Sequence, residues 1–479
     1  MNKLKEKWNS IPITVKVSIA YTVCSILQKC LSFITLPLFT RLLTTEQYGQ
    51  YSVYASWSTI LSIFVTLNLG YGSFQTAMAK YEEDRDRYIA SVQGVSLLLL
   101  GIFLVIYLPF RNIWNPLLEM PTYLVLVLVI ELVAQSSLLF WSTKKRFEYK
   151  YKSVVAITLA VSALSPLLAY FLVVNVEEKG YARIIGYASI NIIVGLFFLV
   201  FNFCKGKKIF VKEYWKFALG FNIPLIPYYL SQVVFNQSDR IMISKYCGTD
   251  KAGIYSVAYS LAIILNFVLN AINNSYIPWL YEKIKEKNYK ENKQVSCLIS
   301  ILMAVLLLGI IWIAPEFIYI MAGPEYYEAV WIVAPVAISL LLLFYSQLFI
   351  NVMFYYEQKA LLVWASLGAA IVNIVLNAIF IPWFGFIAAG YTTLVSYVLF
   401  AVANYWGLYI ASKDKQVVIQ LYDLRWLTVI LLAMVLLSAL GMLLYDFMIA
   451  RYVIIAIVLL ILLINYKQVI KYLMILKNM

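Results

Sequence analysis

Few residues in this chain could do chemistry, and the first is Lys29. It lies inside an apolar run spanning about residues 15 to 39, roughly 15 Å from either end of the membrane at 1.5 Å per residue. Lysine snorkelling covers less than that. An ionisable side chain at such depth costs about 2.5–3.5 kcal/mol on insertion scales and marks a functional position by default. Lys29 therefore reads as a cation facing a hydrated cavity and binding an anion, with Gln28 and Ser32 close by. A structural pair with Glu131, the one acid deep in the early runs, is the other reading. The second charged site is Asp239-Arg240. Arginine's planar fork donates in pairs and suits a diphosphate, whereas an anchor at the membrane interface with its own counter-charge is the plainer account. Asp239 and Glu131 are the acids available to take up a proton or sodium ion.

Uncharged polar residues extend the pattern. Asn266, Asn270, Asn273 and Asn274 are spaced i, i+4, i+7 and i+8 and share one helix face. Asn373 and Asn377 repeat the spacing, and Gln232, Asn236 and Gln237 add a third polar stripe. Such stripes either line a polar passage or bond neighbouring helices. With Lys29, Gln28, Asp239 and Arg240, the residues Gln232, Asn236, Asn266, Asn270, Asn273, Asn373 and Asn377 form the expected substrate-binding set.

Other chemistries are not encoded. There is no histidine, so the usual metal ligand and proton switch are missing. Five cysteines are scattered without CxxC spacing, which gives neither a disulfide framework nor a metal site. No nucleophile elbow, HExxH motif or P-loop occurs, so neither an enzyme nor a cofactor is expected.

The elements that must position these residues are membrane helices. Of 479 residues, 63% are hydrophobic and 13% charged, against about 45–50% and 25% in soluble domains. Fourteen runs are long enough to cross a bilayer, near 15 to 39, 48 to 75, 89 to 109, 122 to 142, 153 to 174, 183 to 203, 217 to 243, 253 to 279, 295 to 321, 329 to 355, 361 to 381, 385 to 410, 426 to 446 and 452 to 473. The first follows Lys3, Lys5, Lys7 and Lys16 and is too long for a signal peptide. The formal charge of +14 reflects lysines and arginines in short connectors, which excludes nucleic acid as a partner and speaks to topology instead. With a cytoplasmic N-terminus, 29 of the 38 basic residues fall inside and 8 outside, Lys29 being the last. Both termini are thus expected in the cytoplasm.

A duplication organises the runs. Thr44-Thr45-Glu46-Gln47-Tyr48-Gly49-Gln50-Tyr51-Ser52-Val53 returns as Gly248-Thr249-Asp250-Lys251-Ala252-Gly253-Ile254-Tyr255-Ser256-Val257 at a constant offset of 204. Six spans separate the copies, so the halves share one orientation, a parallel repeat of the kind found in two-lobed transporters. The expected fold is an all-α polytopic membrane protein with about 14 transmembrane helices. Its lobes are residues 1–204 and 205–411, each of six helices, and 412–479 add two helices without counterpart.

Three stretches carry a resemblance: Leu36 to Tyr51, Ser238 to Ile243 leading into Gly253 to Tyr259, and Gly323 to Ala329. They resemble the polysaccharide-biosynthesis and O-antigen flippases of the MOP, or MATE-like, exporter superfamily. The resemblance implies two six-helix lobes around a cationic cavity, alternating access, and an undecaprenyl-diphosphate-linked oligosaccharide carried to the outer leaflet of a bacterial cytoplasmic membrane. It also implies a monomer working beside polysaccharide polymerase and chain-length proteins. Relatives that flip lipid II use several cavity arginines where this chain has Lys29 alone, which argues against lipid II as cargo. An ion-coupled drug exporter of the same fold would want carboxylates deep in the cavity. A polymerase or ligase acting on the same lipids would want a large outer loop, and no connector here exceeds about 15 residues.

Overall fold

The computed structural model describes residues 12–356, 359–411 and 420–464. Lys3, Lys5, Lys7, Lys413, Lys415, Lys467, Lys471 and Lys477, with the end of the last expected run, lie outside them. Every regular element among the described residues is a helix, the arrangement that satisfies backbone polar groups in lipid.

Two compact units are present, Met1–Gln237 and Ser238–Met479. The first holds α1 (Ile13–Leu42), α2 (Thr45–Val65), α3 (Ser73–Lys80), α4 (Arg85–Tyr107), α5 (Arg111–Leu118), α6 (Thr122–Phe147), α7 (Tyr151–Asn175), α8 (Lys179–Gly206), α9 (Lys212–Asn222) and the start of α10 (Ile226–Cys247). The second continues through α11 (Thr249–Lys285), α12 (Tyr289–Trp312), α13 (Ala314–Met321), α14 (Val330–Tyr355), α15 (Lys359–Phe384), α16 (Ile387–Ala411), α17 (Leu424–Leu443) and α18 (Met448–Ile464). The division by packing therefore falls inside α10. The boundary expected at residue 204 falls near the end of α8 and precedes α9, which packs on α3 and α4 of the first unit.

Among the described residues, twelve helical segments are long and apolar enough to cross a membrane, and the chain is an all-α polytopic membrane protein. The other two expected runs correspond to α2 and α18. Threonine, glutamine and serine dilute α2 over its 21 residues, and α18 has 17 described residues, Met448–Ile464, with the rest of its expected run outside them. The run expected at 48 to 75 breaks after Val65, where Leu67 and Asn68 take positive φ and Gly72 follows at +44°. That at 217 to 243 is interrupted by a 3-10 turn, Ile223–Leu225, at Pro224. Proline removes a donor and crowds the preceding turn.

The duplicated motif starts a helix in both units, α2 at Thr45 and α11 at Thr249, again 204 residues apart. The two starts are made differently. Thr44 caps α2 through a reciprocal box: its Oγ1 accepts from the Gln47 amide at 3.2 Å while Gln47 Oε1 accepts from the Thr44 amide at 3.2 Å. At α11, Gly248 makes the turn instead with φ at +104°, which glycine alone adopts without strain.

Each unit is organised on its fourth long helix, α6 in the first and α14 in the second. α6 packs on α8, and α14 packs on α16. α7 pairs with α8 as α15 pairs with α16. In the first unit small residues set the spacing: a Cβ on Gly186 would meet Ala169 Cα at 2.3 Å, and one on Gly195 would meet Ala134 O at 2.3 Å. Buried amides add interhelical bonds. Gln93 of α4 donates to Leu199 O at 2.8 Å, and Asn202 of α8 donates to Gln93 Oε1 at 2.9 Å and Ser137 O at 3.1 Å.

Candidate substrate and ion sites

Lys29 lines a pocket of about 400 Å³ in the first unit. α1 supplies Gln28, Lys29, Ser32 and Thr35, α7 supplies Ser162, Ser165 and Pro166, and α8 supplies Tyr187 and Asn191. Gln28 Nε2 donates to Ser162 Oγ at 2.9 Å, so the neighbour of Lys29 is tied to the opposite wall. An apolar helix can present this polar face because α1 contacts its unit chiefly through α7. The pocket combines one ammonium with hydroxyls and amides, a lining suited to an anionic, hydrogen-bonding group.

Glu131 lies one residue beyond this wall. Its carboxylate is 5% exposed and accepts from Tyr54 Oη at 2.7 Å, Asn191 Nδ2 at 2.8 Å and Gln135 Nε2 at 2.9 Å. Its hydrogen-bond donors among the described residues are thus three neutral groups. Asn191 faces both the Lys29 pocket and Glu131, and so joins a cation-lined recess to a buried acid.

The second unit buries Asp239, 1% exposed. Its Oδ2 accepts from Tyr255 Oη of α11 at 2.6 Å and Thr393 Oγ1 of α16 at 2.8 Å, and its Oδ1 accepts from Asn377 Nδ2 of α15 at 2.6 Å. A second tier supports the first. Asn377 also donates to Asn373 Oδ1 at 3.3 Å, Ser238 Oγ donates to the same oxygen at 3.1 Å, Asn373 Nδ2 donates to Thr393 Oγ1 at 3.3 Å, and Thr392 Oγ1 donates to Asn377 Oδ1. Four helices therefore meet at one carboxylate. Its neighbour Arg240 stacks over the Tyr259 ring at 4.4 Å, a cation–π contact.

The polar stripes separate on inspection. Asn373 and Asn377 belong to the Asp239 network. Asn273 is buried, donating to Gln347 Oε1 at 3.0 Å and accepting from Asn351 Nδ2 at 2.7 Å, both on α14, so it bonds two helices. Asn270 is exposed and Asn266 half-buried. Asn236 donates to Gln232 O of its own helix at 2.7 Å, and Gln237 accepts from Ser56 Oγ at 3.2 Å.

Tyr54, Gln135, Asn191, Tyr255, Thr392 and Thr393 were not anticipated. For three of them the signal was present: the offset of 204 carries Tyr51 to Tyr255 and Gly186-Tyr187-Ala188-Ser189 to Gly390-Tyr391-Thr392-Thr393. Buried arginines were also missed. Arg183 lies over the rings of Tyr51, Tyr48 and Phe39 at 3.9, 4.4 and 4.5 Å, holding α8 to α1 and α2. Arg451 of α18 pairs with Glu316 of α13.

Residues 14–283 match the polysaccharide biosynthesis protein family. The chain belongs to that family. It is 26% identical over 375 residues to a protein of the Lsg locus of Haemophilus influenzae, covering 75% of this chain and 89% of that one. An uncharacterized membrane protein of the same organism is 23% identical over 287 residues, covering 58% and 67%. Among solved structures, the lipid II flippase MurJ in an inward closed conformation aligns with a TM-score of 0.62 at 14% identity, covering 92% of this chain and 100% of that one. A multidrug resistance MATE family transporter of the MOP superfamily, inward-facing, aligns at 0.60 with 12% identity, covering 82% and 98%. The fold is that of these structures, and the resemblance to polysaccharide-biosynthesis proteins read from the sequence holds.

Proposed function

We propose that this protein is a flippase for undecaprenyl-diphosphate-linked oligosaccharide units, moving them by alternating access from the inner to the outer leaflet of a bacterial cytoplasmic membrane for surface polysaccharide synthesis. The observation that carries this reading is the Lys29 pocket: an ammonium midway along a membrane helix, in a recess walled by hydroxyls and amides. A diphosphate with its sugars cannot enter hydrocarbon, and such a recess offers it a counter-charge and hydrogen bonds while the polyprenyl tail stays in lipid. Outward movement of a negative headgroup is favoured by an inside-negative potential, by about 2.3 kcal/mol per charge per 100 mV. In this reading both termini are cytoplasmic, Gln28 assists Lys29, Arg240 is a further anion contact, and the protein is a monomer that hands its cargo to polymerase and chain-length proteins.

Surface glycan display in a deletion strain tests it. Lys29→Ala is expected to reduce display at least tenfold and Lys29→Arg to retain most of it; normal display with Lys29→Ala removes the lysine from the mechanism. Asp239 supports ion coupling as part of the same reading, because its buried carboxyl group accepts from one amide N–H and two hydroxyls on three other helices. Loss of a pH or sodium dependence of transport in Asp239→Asn is the expected sign. The same two buried acids would serve an ion-coupled exporter of small cations, and drug sensitivity that changes in the deletion strain without any change in surface glycan would favour that second reading.

A further inference from the structure

The Lys29 pocket is not the only recess on the α1–α7 pair. A second, of about 630 Å³, opens at the beginning of both helices, where Lys16 of α1 faces Lys150, Lys152 and Ser153 around Tyr149. Its volume is in the range of small-molecule sites. Three of its lining residues are lysines and none is an acid. Glu148, the acid next to Tyr149 in the chain, is already committed: it accepts from Lys145 at 2.8 Å and pairs with Lys150 at 3.2 Å and Lys144 at 3.3 Å. Arg146 adds a further cation, stacked over Tyr21 of α1 at 4.8 Å. The turn that brings these groups together is held open by Tyr149, whose φ of +55° is unusual for a bulky residue, and Ile13, half exposed, gives the rim an apolar edge.

We infer that this recess is a capture site for the phosphate group of a membrane lipid. Compact ammonium charges on flexible stems, with a serine and tyrosine hydroxyls beside them, suit phosphate oxygens, and basic groups just outside the hydrocarbon attract anionic headgroups, each by roughly a factor of five. Its position adds a second argument. Lys16 and Lys29 stand on the same helix, thirteen residues and so about 20 Å apart, and α7 lines both recesses. A headgroup held at Lys16, Lys150 and Lys152 waits at the foot of the helix pair whose middle carries Lys29, with its acyl or prenyl chain against Ile13 and the exposed flank of α1. The site is an entry station distinct from the central pocket. Capture of a phosphate does not depend on the transport reading; only the choice of the cargo lipid as its source rests on that reading.

The test uses the full chain in nanodiscs of phosphatidylcholine, titrated with undecaprenyl diphosphate. The triple variant Lys16→Gln, Lys150→Gln, Lys152→Gln is expected to bind at least about tenfold more weakly than wild type, and the corresponding triple arginine variant to bind like wild type, with unfolding midpoints unchanged in both. Competition with phosphatidylglycerol separates the sources: no displacement assigns the site to the diphosphate carrier, and displacement at equal lipid fraction assigns it to anionic phospholipid, either result upholding a phosphate site. Equal binding of both lipids by wild type and the glutamine variant overturns it. Lys29→Ala in the same assay keeps the two readings apart: it is expected to remove only the component of diphosphate binding that belongs to the Lys29 pocket, and loss of that same component alone in the triple glutamine variant would overturn a separate site at Lys16, Lys150 and Lys152.

Discussion

The two copies of the 204-residue repeat use one place in their shared register in opposite ways. In the first unit, Gln28, Ser32, Thr35 and Ser162 line a recess beside Lys29. Their partners 204 residues on are Gln232, Asn236, Asp239 and Ser366, and the partner of Lys29 is Val233. There the cation is gone, an acid stands where Thr35 was, and the space is crossed by hydrogen bonds from Tyr255, Asn377 and Thr393. Ala169 and Val173 correspond to Asn373 and Asn377, and Ala188-Ser189 to Thr392-Thr393. The first unit thus joins its fifth and sixth long helices by close backbone approach at Gly186, and the second joins them through amides and hydroxyls focused on a carboxylate. Duplication fixed where the helices lie; divergence made one copy a recess beside a lysine and the other a hydrogen-bonded node around a buried acid.

The sharpest way to break this contrast is to add one methyl group to each copy. Gly186→Ala is expected to destabilise the protein by about 3 kcal/mol, the upper end for overpacking, because its Cβ would lie 2.3 Å from a backbone atom. Gly390→Ala, whose nearest neighbour is Pro335 Cγ at 3.1 Å, is expected to cost less than about 1 kcal/mol. Denaturant unfolding in detergent measures both, and similar losses would mean that the two equivalent glycines are equally crowded. Next come the acids. Asp239→Ala removes three interhelical bonds, about 2 kcal/mol at roughly 0.6 each in membranes, and Glu131→Ala removes two, about 1 kcal/mol; a reversed order would place the denser node in the first unit.

The smallest effect is one of pH. Burial works to raise the Glu148 carboxyl, but Lys145, Lys144 and Lys150 outweigh it and hold the group down to about 2, from an ordinary 4.5. A depressed carboxylate adds stability that is complete above its unfolded value and lost as pH falls from about 4.5 towards 2. The wild-type unfolding midpoint is therefore expected to fall over that window by more than that of Glu148→Gln. Parallel curves would show that the cluster contributes nothing to the first unit.

Much of the architecture was legible in the sequence because lipid allows little else: apolar length gives helices, and a recurring Gly-x-Tyr-Ser-Val gives the repeat and its register. Lys29, Asp239, Asn373 and Asn377 stood out because polar groups in apolar runs are rare. What was not legible was which groups meet. The face shared by Asn266, Asn270 and Asn273 follows from spacing, but that Asn273 bonds Gln347 and Asn351 depends on which helix lies opposite, and periodicity is silent on that. Tyr54 and Asn191 were hidden for the same reason, since one tyrosine among 38 and an asparagine in a long run have no special sequence context. The interruption at Pro224 was legible as a proline within the run, but the break after Val65 came from local backbone chemistry that hydropathy averages away.

The length of α1 has a consequence of its own. Thirty residues make about 45 Å of helix, while the hydrocarbon layer is about 30 Å deep, and little of this helix is covered by protein. Such an excess is relieved by leaning or by standing proud of the bilayer, and each ångström of mismatch carries a small elastic cost. The thickness of the host membrane therefore acts directly on the element that bears Lys16 and Lys29, so lipid chain length becomes a physical setting for how far apart, measured along the bilayer normal, those two cations stand.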